Sequence, residues 1–148
     1  MEVRFYHLQS STVEQALPSL LEKALQQEMR AVVLAGSEER LQSLDSGLWT
    51  YRPDSFLPHG TAADGHAADQ PIWLTVKPEN PNSASVLFSL DGQGIDGVEN
   101  IKLACDIFDG ADPEALAAAR ERWKAAKEQG HELTYWQQGE RGGWEKKN

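Results

Sequence analysis

Five consecutive apolar residues, Ala31 to Ala35, closed by Gly36, leave this chain few ways to fold. A run so short, with two adjacent valines, reads as a strand buried on both faces, and such strands belong to sheets covered by helices on either side. Upstream, Val3, Phe5 and His7 alternate with Arg4, Tyr6 and Leu8, which predicts a first strand over 3–8. Between the two strands, Ser11-x-x-Glu14 is a capping-box pattern, after which Val13, Leu17, Leu20, Leu21, Ala24 and Leu25 recur at helical spacing. Pro18 falls inside that helix, where it removes one backbone hydrogen bond, and predicts a kink or a late start. Strand, helix, strand in this order makes a parallel sheet with a right-handed crossover the default.

The remaining elements extend the same scheme. Ser37–Leu44 reads as a short helix, and residues 49–70, with Pro53, Pro58, Gly60 and Gly65, as a long surface loop. Ile72–Val76, Ser85–Leu90 and Ile101–Phe108 read as strands. Asp112-Pro113-Glu114 combines a cap, a proline at the first helical position and a dipole-favoured acid, and Gly130 ends the helix that follows. The tail from His131 to Asn148, which holds Trp136 and Trp144, reads as a last strand or ordered extension, with a C-terminal extension from about residue 137. The expectation is one α/β domain over 1–148, with a mostly parallel central sheet flanked by helices, Rossmann-like but without a phosphate-binding loop. Cys105, the sole cysteine of 148 residues, leaves no disulfide to form and falls in an apolar strand pattern, where it reads as core. No apolar run approaches the roughly 20 residues needed to cross a bilayer, and the chain opens into a strand pattern instead of a signal peptide, so a cytoplasmic setting is expected.

Charge and motifs exclude several functions. A formal net charge of −9 repels phosphate backbones, so nucleic acid is expected to be engaged only indirectly. The charge is uneven: residues 1–112 hold 7 Lys/Arg and 17 Asp/Glu, whereas residues 113–148 hold 7 and 6. The C-terminal quarter is therefore the least repulsive place for an anionic partner. Gly92-Gln93-Gly94-Ile95-Asp96-Gly97 has the glycine spacing of a dinucleotide site, but the residues after it read as strand, so the helix N-terminus that holds a pyrophosphate is missing. Gly36-Ser37-Glu38-Glu39 lacks the lysine of a phosphate loop and places acids there instead. His59 and His66, with Asp64 and Asp69, match no closed metal-ligand pattern and read as solvated loop residues, His59 the more ordered beside Pro58. No serine lies in a nucleophile elbow. No catalytic residue, metal or cofactor is expected.

What remains is surface. On a helical wheel Leu116, Arg120, Trp123, Lys124 and Lys127 share one face of the last helix, while Ala115, Ala118, Ala119, Ala125 and Ala126 face away and would pack on the sheet. An apolar and cationic stripe of this kind suits a peptide both acidic and apolar. The other reading makes Leu116 and Trp123 core, with the cations snorkelling past them. Arg122, among the alanines, calls for a buried acidic partner. In the 49–60 loop, Trp49, Tyr51, Phe56 and Leu57 either plug the core edge or form a partner surface.

Val3-Arg4-Phe5-Tyr6-His7-Leu8, Leu44-Asp45-x-x-Leu48-Trp49-Thr50 with Ser55-Phe56-Leu57-Pro58-His59-Gly60, and Ala119-Arg120-Glu121-Arg122-Trp123-Lys124 with Leu133-Thr134-Tyr135-Trp136-Gln137-Gln138 together resemble the chi-subunit family of bacterial DNA polymerase III. The resemblance spans nearly the whole chain, and the middle motif is quite specific. It implies a nucleotide-binding-like topology without an active site. It also implies an accessory role, joining the clamp loader through the psi subunit and gripping the acidic, phenylalanine-ended C-terminal tail of single-stranded-DNA-binding protein. Arg120, Trp123 and Lys124 match the family's tail-binding face. Trp123 stands where tyrosine is frequent, and Leu116 where some members carry lysine. Trp49 and Phe56 match positions resembling the psi-facing surface. The rival expectation is a nucleotide-binding protein or small enzyme using the sheet crevice.

Overall fold

The computed structural model describes residues 1–50 and 57–147. Seven strands form one sheet: β1 (Glu2–Leu8), β2 (Ala31–Leu34), β3 (Ile72–Thr75), β4 (Val86–Ser89), β5 (Leu103–Asp109), β6 (Glu132–Gln138) and β7 (Trp144–Lys146), in spatial order β3-β2-β4-β5-β1-β6-β7. All neighbours pair in parallel except β7, which returns antiparallel along β6. Three helices accompany them: α1 (Val13–Gln26), α2 (Glu38–Trp49) and α3 (Pro113–Glu128). The mostly parallel α/β architecture is the one read from the sequence.

The two faces of the sheet have separate cores. On one, Leu17, Leu20 and Leu21 of α1 and Leu41, Leu44 and Leu48 of α2 pack against Tyr6, Val33, Phe88 and Ile107. On the other, Ala119, Leu116 and Trp123 of α3 pack against Val3, Phe5 and Phe108. Strands β2 and β4, bounded by neighbours in the sheet and covered above and below, are wholly buried, as an uninterrupted apolar run requires. Cys105 is buried in the first core, and burial pushes its thiol up to about 12.

Several boundaries differ from the sequence reading. Thr12, not Ser11, caps α1: its hydroxyl accepts from Gln15 N–H, and the Gln15 side chain accepts from Thr12 N–H. Helix α1 runs through Pro18, which is buried. Helix α2 continues to Trp49, five residues past Leu44. Beyond the undescribed residues 51–56 the chain is not a plain surface loop. Leu57, His59, Gly60 and Thr61 are buried, and Gly60 bridges Trp73 at the edge of β3. The glycine-rich stretch after β4 is a turn, with Asp91, Gly92, Gly94 and Gly97 all at positive φ, and the following strand starts only at Leu103. The alanine face of α3 is also corrected. Ala119 and Ala126, one heptad apart, are the buried seam, whereas Ala118 and Ala125 are exposed.

Candidate peptide groove on the last helix

Arg122 explains how α3 is held. It lies between Ala119 and Ala126 along the seam and projects to the sheet, where Nε donates to Asp106 Oδ2 at 2.6 Å and Nη2 to Oδ1 at 3.0 Å. Asp106, on β5, is 1% exposed. Burial pushes its carboxyl up from the ordinary range while the Arg122 guanidinium pulls it back down. A planar fork on a carboxylate fixes rotation as well as position, so this pair sets which α3 residues face outward. The partner that Arg122 required is Asp106.

With that register, Leu116, Arg120, Trp123 and Lys124 border a groove of about 400 Å³ whose other walls are Phe108, Ala119 and Tyr135. Both readings of the stripe hold in part. Trp123 is half-buried, edge-on to Phe5 at 5.3 Å and to Tyr135 at 5.8 Å, yet still borders the opening. Leu116 is likewise half-buried. Arg120 and Lys124 are exposed. Lys124 approaches Glu121 only at 3.6 Å on the open surface, an ion pair worth little, and Arg120 has no hydrogen-bond or ion-pair partner among the described residues. Lys127 is exposed on the same helix but is not part of the groove lining.

Phe108 and Tyr135 lie on strands, outside the helical wheel of α3. Strand parity was the available signal. Phe5, His7, Phe108 and Tyr135 all point to the α3 side of β1, β5 and β6, in register His7–Phe108 and Phe5–Tyr135 across neighbouring strands. Behind Tyr135, its hydroxyl and His7 Nδ1 are 2.5 Å apart. Burial, and then nearby Arg120, lower His7 from its ordinary 6.5, with Asp109 opposing them.

The sheet crevice is built differently. Strand β1 leads to α1 on one face and neighbouring β5 to α3 on the other, so their carboxyl ends form the switch point at which open α/β sheets receive ligands. The cavity there, about 230 Å³, presents Glu14, Asp91 and Asp109, and its cation Arg40 already contacts Glu14 and, at 3.1 Å, Asp91. The backbone after β1, where a phosphate would be cradled, is occupied by the chain itself. Gln138 Oε1 accepts from the N–H groups of Gln9, Ser10 and Ser11 at 3.1, 3.0 and 3.2 Å, and its Nε2 donates to Ser11 Oγ.

A second feature corrects the reading of His59 as solvated. The residue is 6% exposed, with Nδ1 2.7 Å from Leu57 O and Nε2 2.8 Å from Asp45 Oδ1, so it ties the 57–61 segment to α2. Trp49 covers that ring at 4.5 Å and is itself 54% exposed. Phe56, expected on the same surface, lies outside the described residues. Among the described residues no cluster of three His, Cys, Asp or Glu could hold a metal, and no helix is long and apolar enough to cross a membrane.

Comparison with known proteins gives the family. The family model described as DNA polymerase III chi subunit, HolC, matches residues 1–134. A relative from Rickettsia prowazekii, named probable DNA polymerase III subunit chi, is 32% identical over 103 residues, 70% of this chain and 62% of its own length. Another from Pseudomonas aeruginosa, named DNA polymerase III subunit chi, is 28% identical over 114 residues, 77% of this chain and 78% of its own.

Proposed function

We propose, because this chain belongs to the DNA polymerase III chi-subunit family, that it is a non-catalytic linker within that polymerase. The α3 groove would hold the acidic, phenylalanine-ended C-terminal tail of single-stranded-DNA-binding protein, and Trp49 and Phe56, the latter outside the described residues, would contribute to joining the clamp loader through psi. The observation that carries this reading is the pairing of an open apolar groove with two exposed cations, Arg120 and Lys124, on a molecule of net charge −9. The cations attract carboxylates through charge-assisted hydrogen bonds, and Trp123, Phe108 and Tyr135 supply aromatic area for an apolar residue. Salt screens the first part and leaves the second. A weak grip of this kind serves a tether, because linkage through a multi-subunit assembly raises effective concentration without new contacts. Contact with nucleic acid is then indirect.

The crevice reading, a nucleotide site or small enzyme, has less support: three carboxylates face the cavity, and Gln138 fills the backbone cradle. The deciding experiment titrates a labelled tail peptide, acidic and ending in phenylalanine, into the purified protein. Arg120→Ala and Trp123→Ala should each weaken binding about tenfold, or roughly 1.4 kcal/mol, with far-UV circular dichroism unchanged. Wild-type affinity in both variants would reject the groove.

A further inference from the structure

The bond behind the groove joins two residues that the cationic stripe does not include. His7 and Tyr135 stand on neighbouring parallel strands, β1 and β6, and project to the α3 side. Tyr135 borders the groove and meets Trp123 edge-on, whereas His7 stands one layer deeper, 9% exposed and 5.3 Å from the Phe108 ring. The imidazole has little freedom. A Cβ added at Gly110 would fall 1.9 Å from its Cδ2 and Nε2 atoms, so the backbone of Gly110 closes on the ring from the β5 side. A ring so confined is a fixed post, and the Tyr135 hydroxyl is bonded to it at 2.5 Å.

We infer that His7 is a positioning residue for the groove: through its hydrogen bond to the Tyr135 hydroxyl it holds that ring as the wall facing Trp123, ready for the apolar part of an acidic peptide. The inference rests on the reading of the groove as a peptide site and adds a residue that does not line it. It carries a consequence for protons. The charged or titratable groups facing His7 are Tyr135 on β6, Arg120 on α3 and Asp109 at the end of β5. Neutral imidazole accepts the tyrosine O–H, and imidazolium donates to the tyrosine oxygen, so the post survives protonation. A carboxylate brought to Arg120 offsets the cation that opposes protonation of His7. By linkage, that offset favours peptide binding as pH falls through the weakly acidic range.

The test uses the same tail peptide with wild type, Tyr135→Phe, His7→Leu, the double variant and Arg120→Ala. Each of the first two single substitutions should weaken binding roughly three- to fivefold, and the double variant should be no weaker than either, because both break one bond. Between pH 7.5 and pH 6 wild-type affinity should rise roughly threefold, while His7→Leu stays flat; a purely structural role would not give that split. Should His7→Leu fail to fold, His7→Met, which fills the site without making that hydrogen bond, replaces it. Wild-type affinity in Tyr135→Phe, or additive losses in the double variant, overturns the inference even where Arg120→Ala binds weakly and the groove itself stands. If Arg120→Ala and Trp123→Ala also bind as wild type, the groove falls and the inference with it.

Discussion

Replacing Arg122 with alanine should be among the most damaging single changes to α3, and the reason is electrostatic. The substitution removes hydrogen bonds of 2.6 and 3.0 Å and leaves Asp106, 1% exposed, without its cation. Breaking a buried pair from one side costs about 3–5 kcal/mol, and the Arg122 side chain is 19% exposed, so water reaches the vacated place and the lower end, about 3 kcal/mol, is expected. For a chain of this size that lowers Tm by about 6–12 °C. The loss should depend on pH in a defined sense. With its carboxyl already raised above 3.8 by burial and the opposing cation gone, Asp106 in the variant binds a proton more readily folded than unfolded. The penalty is therefore absent below 3.8 and grows as pH rises through the folded value. Urea unfolding of Arg122→Ala and of the apolar pair Asp106→Leu/Arg122→Met at pH 7 gives the measurement. The paired variant should regain most of the lost stability, since no uncompensated charge remains. A loss under about 1 kcal/mol for Arg122→Ala, or a paired variant weaker than the single one, would refute the reasoning.

Two further outcomes are expected. Gln138→Leu removes the acceptor shared by the N–H groups of residues 9–11; because Gln9 and Ser10 are exposed and water can replace part of what is lost, urea unfolding should show a decrease of about 1–3 kcal/mol, with faster amide exchange at those three positions. His7, lowered in the fold from 6.5 chiefly by burial, binds protons less readily folded than unfolded, so stability should fall as pH drops below about 6.5 and level off below the folded value; thermal melts from pH 8 to pH 5 should show a shallower fall in His7→Leu.

Elements governed by local chemistry were legible in the sequence, and those that depend on distant residues were not. The Asp112-Pro113 start and Gly130 stop of α3 are local and stand where read. At α1, Ser11-x-x-Glu14 and Thr12-x-x-Gln15 both fit a capping box, and the choice of Thr12 follows from Ser11 being engaged by Gln138, 127 residues away. His59 looked solvated because its acceptor, Asp45, comes within reach only when α2 runs on past Leu44. The inward face of α3 differs from the helical-wheel reading for a related reason. Small size alone does not choose a seam: Asp106 draws Arg122 inward, and that places Ala119 and Ala126 against the sheet while leaving Ala118 and Ala125 in water. Half of the groove, Arg120, Trp123 and Lys124, lay on one helix and could be read from its spacing. The other half, Phe108 and Tyr135, comes from strands that flank β1 in the sheet, an adjacency that only the topology supplies.

The same helix thus carries two arginines with opposite assignments, and their separation fixes how the groove works. Arg120 and Arg122 are two residues apart, about 200° around the helix, so a rotation that exposed Arg122 would turn Arg120 toward the sheet. The bidentate bond to Asp106 holds the helix against that rotation, and the Phe5–Trp123 edge contact holds the indole at the lip of the groove. An already formed groove loses little conformational entropy on its own side when it binds, so the ordering cost of association falls mainly on a disordered partner. In the proposed role that cost would keep the single contact weak and readily reversed. Such reversibility would suit a tether in that role, because effective concentration within an assembly restores the occupancy that affinity alone would not give.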